Sequence, residues 1–175
     1  VSYAVRVHQT GGTDVLRIEE TWVGDPGPGE ARVRHHAIGL NYVETYLRTG
    51  LYPVPLPSGL GTEAAGVVEA ISPGVQDIAV GDRVAYAGGP QGAYSDMRLM
   101  PADRLVKLPD SVSFEQAAAM FLKGLTAQYL LRRTYKVQRG DTLLFHAAAG
   151  GVGLIACQWA KHLGAKVIGT VGSDA

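Results

Sequence analysis

The chain has one cysteine, Cys157, in 175 residues. A lone thiol cannot close an internal disulfide and cannot assemble a cysteine-based metal site. An excess of charge is also missing: 16 basic residues balance 16 acidic ones, so the formal net charge is zero. No global field then attracts nucleic acid, and no block of like charge marks a solvating tail. The densest basic cluster, Arg132, Arg133, Lys136 and Arg139, reads as the solvated end of a helix, where cations complement the dipole. No run of about 18 apolar residues is present, so no membrane-spanning helix is expected. The start, VSYAVRVHQ, lacks the basic head and apolar middle of a secretory signal. A cytoplasmic protein without a membrane partner is the expectation.

What is present is an ordinary globular composition, 46% hydrophobic and 18% charged, with ample material for a core. Residues 1–108 read as short strands punctuated by glycine and proline. Residues 3–7 alternate and end at the turn Gly11-Gly12. Residues 15–20 form a second run, and DPGPG at 25–29 is a turn that feeds a strand over 30–38. Residues 51–61 read as a loop. Further strands are expected over 64–71, after the turn at 80–84, over 94–100 and over 104–108. Many short strands with regular turns indicate a barrel-like or sandwich-like β domain.

The texture changes after Pro109. Ser113 and Gln116 have capping-box spacing. Helical periodicity follows through Ala117, Phe121 and Leu125, with Gly124 expected to break it. Residues 142–146 form a short apolar strand, 151–163 a helix ended by Gly164, and 165–171 another strand. This is one βαβ unit.

The segment between that strand and helix reads HAAAGGVG. Its spacing, Ala148-x-Gly150-x-x-Gly153, is that of a dinucleotide fingerprint with Ala in the first position. Gly150 would let backbone approach a pyrophosphate, and Gly153 would let helix and strand pack closely. Free N–H groups at the helix start would attract phosphates. A purely structural turn is the alternative. After the next strand come Gly172 and Ser173 where an NAD site usually places an acid. They leave room and a hydroxyl for a 2′-phosphate, which favours NADPH; Asp174 argues the other way.

Five stretches, GLNYVETYLRTGLYP (39–53), PSGLGTEAAGVVEAISPGV (57–75), GDRVAY (81–86), FEQAAAMFLKGLTAQYLL (114–131) and HAAAGGVGLIACQWAKHLGA (146–165), resemble the zinc-free quinone oxidoreductases. These form part of the medium-chain dehydrogenase/reductase superfamily and include zeta-crystallin. The resemblance implies an α/β fold with a large β component. A GroES-like β-barrel domain over 1–120 would precede an incomplete Rossmann doubly wound parallel sheet over 121–175, which would bind NADP. It implies NADPH-dependent hydride transfer to a quinone without zinc. Asn41, Thr62 and about Leu122 occupy the positions of the zinc ligands of related alcohol dehydrogenases, and none of them makes an ordinary zinc site.

The resemblance also assigns roles. Asn41, Tyr46 and Tyr52 are the expected catalytic residues, donating hydrogen bonds to a quinone and stacking on it. Thr126 and Tyr129 are expected against the nicotinamide half of NADPH, Asn41 and Tyr46 also as cofactor contacts, and Gly150, Gly151, Val152, Gly172 and Ser173 against its phosphates. Taken alone, Tyr46 and Tyr52 read as partly buried aromatics, and Thr126 equally as a cap of a second helical segment. His146 and Cys157 read as core residues, Glu63 as a buried acid tied to backbone or arginine, and Arg83 as the anchor of its own turn. The chain is expected to be an amino-terminal portion that holds NADPH weakly or not at all on its own, and a homodimer or tetramer at full length. An enone or enoyl-thioester reductase is the rival within enzymes. A non-catalytic fragment, or a crystallin-like structural or RNA-binding module, is the rival outside them.

Overall fold

The computed structural model describes residues 1–172. Its backbone groups into two compact units, Val1–Phe121 and Leu122–Ala175.

The first unit is built on antiparallel sheets. Strands β1 (Ser2–Val7), β2 (Arg17–Thr21), β3 (Glu30–Ile38), β4 (Ser58–Gly59), β5 (Glu63–Ile71), β6 (Arg83–Ala87), β7 (Met97–Pro101) and β8 (Val106–Lys107) follow in chain order. They form a three-stranded sheet in the order β2-β1-β4 and a five-stranded sheet in the order β7-β3-β5-β6-β8. A single bridge, Ala4 to Ser95, ties β1 to the segment before β7. In β3 the side chains alternate: Ala31 and Val33 are fully buried, while Arg34 pairs with Glu69 on the outer face. β5 lies between β3 and β6, and residues 63–66 are all buried. Its small side chains explain this: Ala64 joins the inner core with Val68, Val84 and Tyr86, and Ala65 packs with Ala85, Ala117 and Ala118. A Cβ on Gly66 would collide with the Arg34 carbonyl, so only glycine admits this approach of β5 to β3.

A short helix, α1 (Val43–Thr49), follows β3. The β-rich reading of this region did not include it. Gly50 ends it in the left-handed conformation, φ 83°, which glycine adopts without a Cβ penalty. Helix α2 (Phe114–Tyr129) opens with the expected capping box. Gln116 N donates to Ser113 Oγ at 3.2 Å, and Ser113 N donates to Gln116 Oε1 at 2.9 Å. Gly124 does not break it. The helix runs through that residue and ends in a π-helical turn, Leu130–Thr134, because one glycine costs only about 1 kcal/mol of helix propensity. Arg132, Arg133, Lys136 and Arg139 are all exposed there.

The second unit holds one βαβ element: β9 (Thr142–Phe145), α3 (Gly151–His162) and β10 (Lys166–Gly169). The two strands are parallel, with Leu144 beside Ile168. Ala156 and Ala160, one turn apart on α3, face a core that includes Ala127, Leu131 and Val137. On the strands, Leu144 and Ile168 remain 61% and 49% exposed.

His35 carries a testable consequence of this packing. Its Nδ1 donates to the Ser95 carbonyl at 2.7 Å, so Nε2 is the acceptor for Tyr86 Oη at 2.9 Å. Burial is the main cause that lowers its pKa from 6.5 to about 4, and burial raises that of the Tyr86 phenol to about 12. The folded state therefore holds a neutral ring, whereas the unfolded chain takes a proton below pH 6.5. Stability is complete above that pH and falls as pH drops towards 4, by at most about 3 kcal/mol. Urea unfolding across this window should show the loss, and His35→Gln, which cannot titrate, should flatten it.

Candidate functional site

In the first unit the site residues cluster around α1. Asn41 precedes the helix, is 8% exposed, and donates from Nδ2 to Glu63 Oε2 at 2.8 Å. Glu63 is fully buried at the start of β5. The Asn41 amide is thus a partner that the residue-level reading of Glu63 did not name. Gly39 makes the approach feasible: a Cβ there would collide with the Glu63 carboxylate and the Ala118 carbonyl. Asn41 N donates to Glu44 Oε2 at 2.9 Å, three residues on, the backward arm of a capping box. Glu44 is 4% exposed and its Oε2 also accepts from the Tyr94 hydroxyl. Burial, reinforced by that hydrogen bond and by the charge of Glu44, pushes the Tyr94 phenol well above its usual range.

The opposite face of α1 carries aromatic rings. Tyr42 and Tyr46 meet edge to face with centroids 5.3 Å apart, as residues four apart on a helix do. Tyr52 meets Tyr46 at the same separation, held by its N–H to the Tyr46 carbonyl at 3.1 Å. Tyr52 is 50% exposed, so it is a surface ring and not a buried one. Tyr42 was missed in the sequence; its spacing from Tyr46 was the available signal, once a helix is recognised there. The structure thus brings together Asn41, Tyr46 and Tyr52 within one segment and adds Tyr42, Glu44 and Glu63.

In the second unit the glycine segment opens α3 from the carboxyl ends of two parallel strands. Gly150 is the N-cap, with no side-chain cap and no acid in the first turn. The positive end of the helix dipole is therefore not offset by this helix's own side chains. A Cβ on Gly153 would lie 2.5 Å from both the Ala147 and Ala148 carbonyls, so that glycine is required by packing. Ala147 holds φ 54°, a left-handed conformation costing about 1–2 kcal/mol for an L-residue. Ala148, in the first fingerprint position, faces Gly169: a Cβ there would be 2.6 Å from the Ala148 methyl. The turn is tied within its unit: Gly150 N donates to the Ala147 carbonyl at 2.9 Å and Ala148 N to the Thr170 carbonyl at 3.0 Å.

His146 is exposed and bonded to Thr170 Oγ1 at 3.1 Å; it is not a core residue, because it follows Thr142 and Leu144 on the outward side of the alternation. Cys157 is half-buried and lines an open groove with Leu154, Lys161 and Val167. Thr126 Oγ1 donates to the Leu122 carbonyl at 2.9 Å and caps no second segment, since α2 is continuous. Tyr129 is the last residue of α2 and is 47% exposed. Gly172 has open space where a Cβ would stand, and Ser173 lies outside the described residues. Arg83 donates to the Pro109 and Val112 carbonyls, anchoring that later turn in place of its own. Among the described residues, no group of three or more His, Cys, Asp or Glu side chains converges as a metal site.

Residues 27–110 match the alcohol dehydrogenase GroES-like domain. The chain is 61% identical over 164 residues to a quinone oxidoreductase of Pseudomonas aeruginosa, covering 93% of this chain and 50% of that one. It is 50% identical over 178 residues to a 2-haloacrylate reductase of a Burkholderia species, covering 98% and 53%. The crystal structure of Escherichia coli quinone oxidoreductase complexed with NADPH superposes with a TM-score of 0.96 at 56% identity, covering 98% of this chain and 53% of that one. The chain spans about half the length of these relatives.

The turn geometry predicts opposite outcomes at two neighbouring positions. Gly153→Ala should destabilise the second unit by about 2–3 kcal/mol, through backbone collision. Ala147→Gly should change stability by less than about 0.5 kcal/mol, since relief of strain offsets the added chain entropy. Thermal melts followed by fluorescence of Trp159, the tryptophan of that unit, separate the two.

Proposed function

We propose, from the premise that this chain belongs to the quinone oxidoreductases of the medium-chain dehydrogenase/reductase superfamily, that it forms part of an NADPH-dependent quinone reductase working without zinc. The observation that carries the reading is the likeness, over 98% of the chain, to an enzyme solved with NADPH. NADPH, when bound, supplies the hydride. The residues that would hold it are Asn41, Tyr46, Thr126, Tyr129, Gly150, Gly151, Val152, Gly172 and Ser173. The fit of the glycine turn supports this: α3 opens without cap or acid, and a side chain at Gly150 would stand 3.1 Å from the Ala147 carbonyl.

Asn41, Tyr46 and Tyr52 are the proposed catalytic residues. A quinone is flat and bears acceptor oxygens at its edge. The exposed ring of Tyr52 offers a stacking face, and the Tyr46 and Tyr52 hydroxyls offer donors where negative charge develops on the quinone oxygen. Solvent can protonate the product, so no buried acid is required. Gly172 leaves space for the 2′-phosphate that distinguishes NADPH from NADH.

The likeness to a 2-haloacrylate reductase supports a second reading, reduction of an activated C=C bond at the same site. Quinone-dependent oxidation of NADPH, followed by absorbance with 1,4-benzoquinone, should exceed that of NADH. Tyr52→Phe should lower kcat/KM by about tenfold, the loss of one hydrogen bond. A 2-haloacrylate turned over faster than 1,4-benzoquinone would select the second reading, and no oxidation with either acceptor would leave the chain a non-catalytic portion.

A further inference from the structure

The zero net charge of the chain conceals a division. Residues 1–121 carry nine lysines and arginines against fourteen acids, whereas residues 122–175 carry seven against two, Asp141 and Asp174. Six of those seven, Arg132, Arg133, Lys136, Arg139, Lys161 and Lys166, are exposed. The backbone gathers them at one end of the second unit. The π-helical turn that ends α2 bears the first two, and Val137 N ties the next segment back to it by donating to the Leu131 carbonyl at 3.0 Å. Gly140 N donates to the Gly164 carbonyl at 3.0 Å, and Lys166 N to the Asp141 carbonyl at 2.8 Å. Arg139 lies against Gly164, where a Cβ would be 3.1 Å from its Cγ. Asp141 is engaged by its own turn: its Oδ2 accepts the Gln138 N–H at 2.7 Å. Among the described residues none of the six enters a salt bridge.

The carboxyl ends of α2 and α3 both lie here, and two helix ends present about one negative elementary charge between them. Six cations exceed that several-fold, so the dipoles do not account for the cluster. It stands at the carboxyl end of α3 and the glycine turn at the amino end, about 18 Å away along 12 residues. A partner bound to one end leaves the other open. Such a partner is anionic, and a bilayer fits better than a nucleic acid. Proteins that hold single strands offer several stacking rings, and those that read duplexes insert an element into a groove. Residues 130–141 and 161–166 hold one tyrosine, Tyr135, and no phenylalanine or tryptophan. Tyr135 is 55% exposed among long cationic side chains. That mixture suits the headgroup layer, where lysine and arginine reach the phosphates and tyrosine sits at the interface.

We propose that this end of the second unit is a docking surface for an anionic phospholipid bilayer. The surface stands on charge and placement, apart from the reductase reading; together the two put the enzyme beside the phase in which apolar quinones dissolve.

The test is co-sedimentation of the full chain with phosphatidylcholine vesicles containing about one third phosphatidylserine. The chain should bind these vesicles, should not bind pure phosphatidylcholine, and should lose at least about tenfold in affinity between low salt and about 0.5 M sodium chloride. Arg132→Gln with Arg133→Gln should weaken binding about 25-fold, near fivefold for each charge. Arg132→Lys with Arg133→Lys keeps the charge and should bind within about twofold of wild type. Arg17→Gln with Arg104→Gln, exposed cations of the first unit, should also stay within about twofold. Should the glutamine pair fail to fold, the salt dependence and the lipid preference of wild type still decide. No binding to the anionic vesicles, equal binding to pure phosphatidylcholine, an unaffected glutamine pair, or an equal loss in the first-unit pair would overturn the proposal. So would a random-sequence RNA duplex that binds more tightly than the vesicles at the same salt, which would assign the cluster to a nucleic-acid backbone. None of these readouts involves turnover, so the reductase reading stands or falls separately.

Discussion

A carboxylate with no exposure at the head of a central strand governs the first unit. Glu63 is fully buried, and a buried carboxylate is tolerated only when hydrogen bonds replace its water. That requirement draws in Asn41 from before α1 and excludes any side chain at Gly39. Asn41 lies just before the N-cap Tyr42 of α1. Glu44 then takes over the helix start from inside, bonding back to Asn41 N and out to Tyr94. With Glu44 and Leu47 buried on one face, Tyr42 and Tyr46 are left on the other. The aromatic surface is thus a consequence of how the acids are satisfied.

Elsewhere the fold depends on missing side-chain atoms. β5 reaches β3 only because Gly66 has no Cβ, and α3 reaches its turn only because Gly153 has none. Alanines extend the same logic: Ala64 and Ala65 let β5 pack on both faces, and Ala156 and Ala160 let α3 lie close to its unit's core. Close approach of this kind gives dense packing and leaves little tolerance for added volume. At the start of α3 the Lys123 side chain packs against Gly151, where a Cβ would meet its Cδ at 2.9 Å.

Local patterns were legible where the deciding forces are local. The strand over 30–38 and the helix start at Ser113 and Gln116 follow from alternation and from a reciprocal cap. The βαβ element is written in apolar runs separated by a glycine turn. Gly124 was misread because propensity is a weak prior: one glycine in a 16-residue helix loses to the packing of its neighbours. His146 was misplaced because it falls on the outward side of the strand's alternation, after the exposed Thr142 and Leu144. Helix α1 escaped because seven residues are too few for periodicity to stand out from β-rich surroundings.

The sequence by itself determined the class of the molecule: small residues at fixed spacings and turn-punctuated strands, with one thiol and balanced charge. These are properties of neighbours along the chain, and neighbours interact whatever the distant parts do. Which polar group meets which was decided only by tertiary structure. Asn41 and Glu63 are 22 residues apart, Glu44 and Tyr94 are 50 apart, and His35 and Tyr86 are 51 apart. No spacing rule reaches that far. Such pairs form because burial removes water from polar groups, which then bond to whatever polar groups the fold brings beside them.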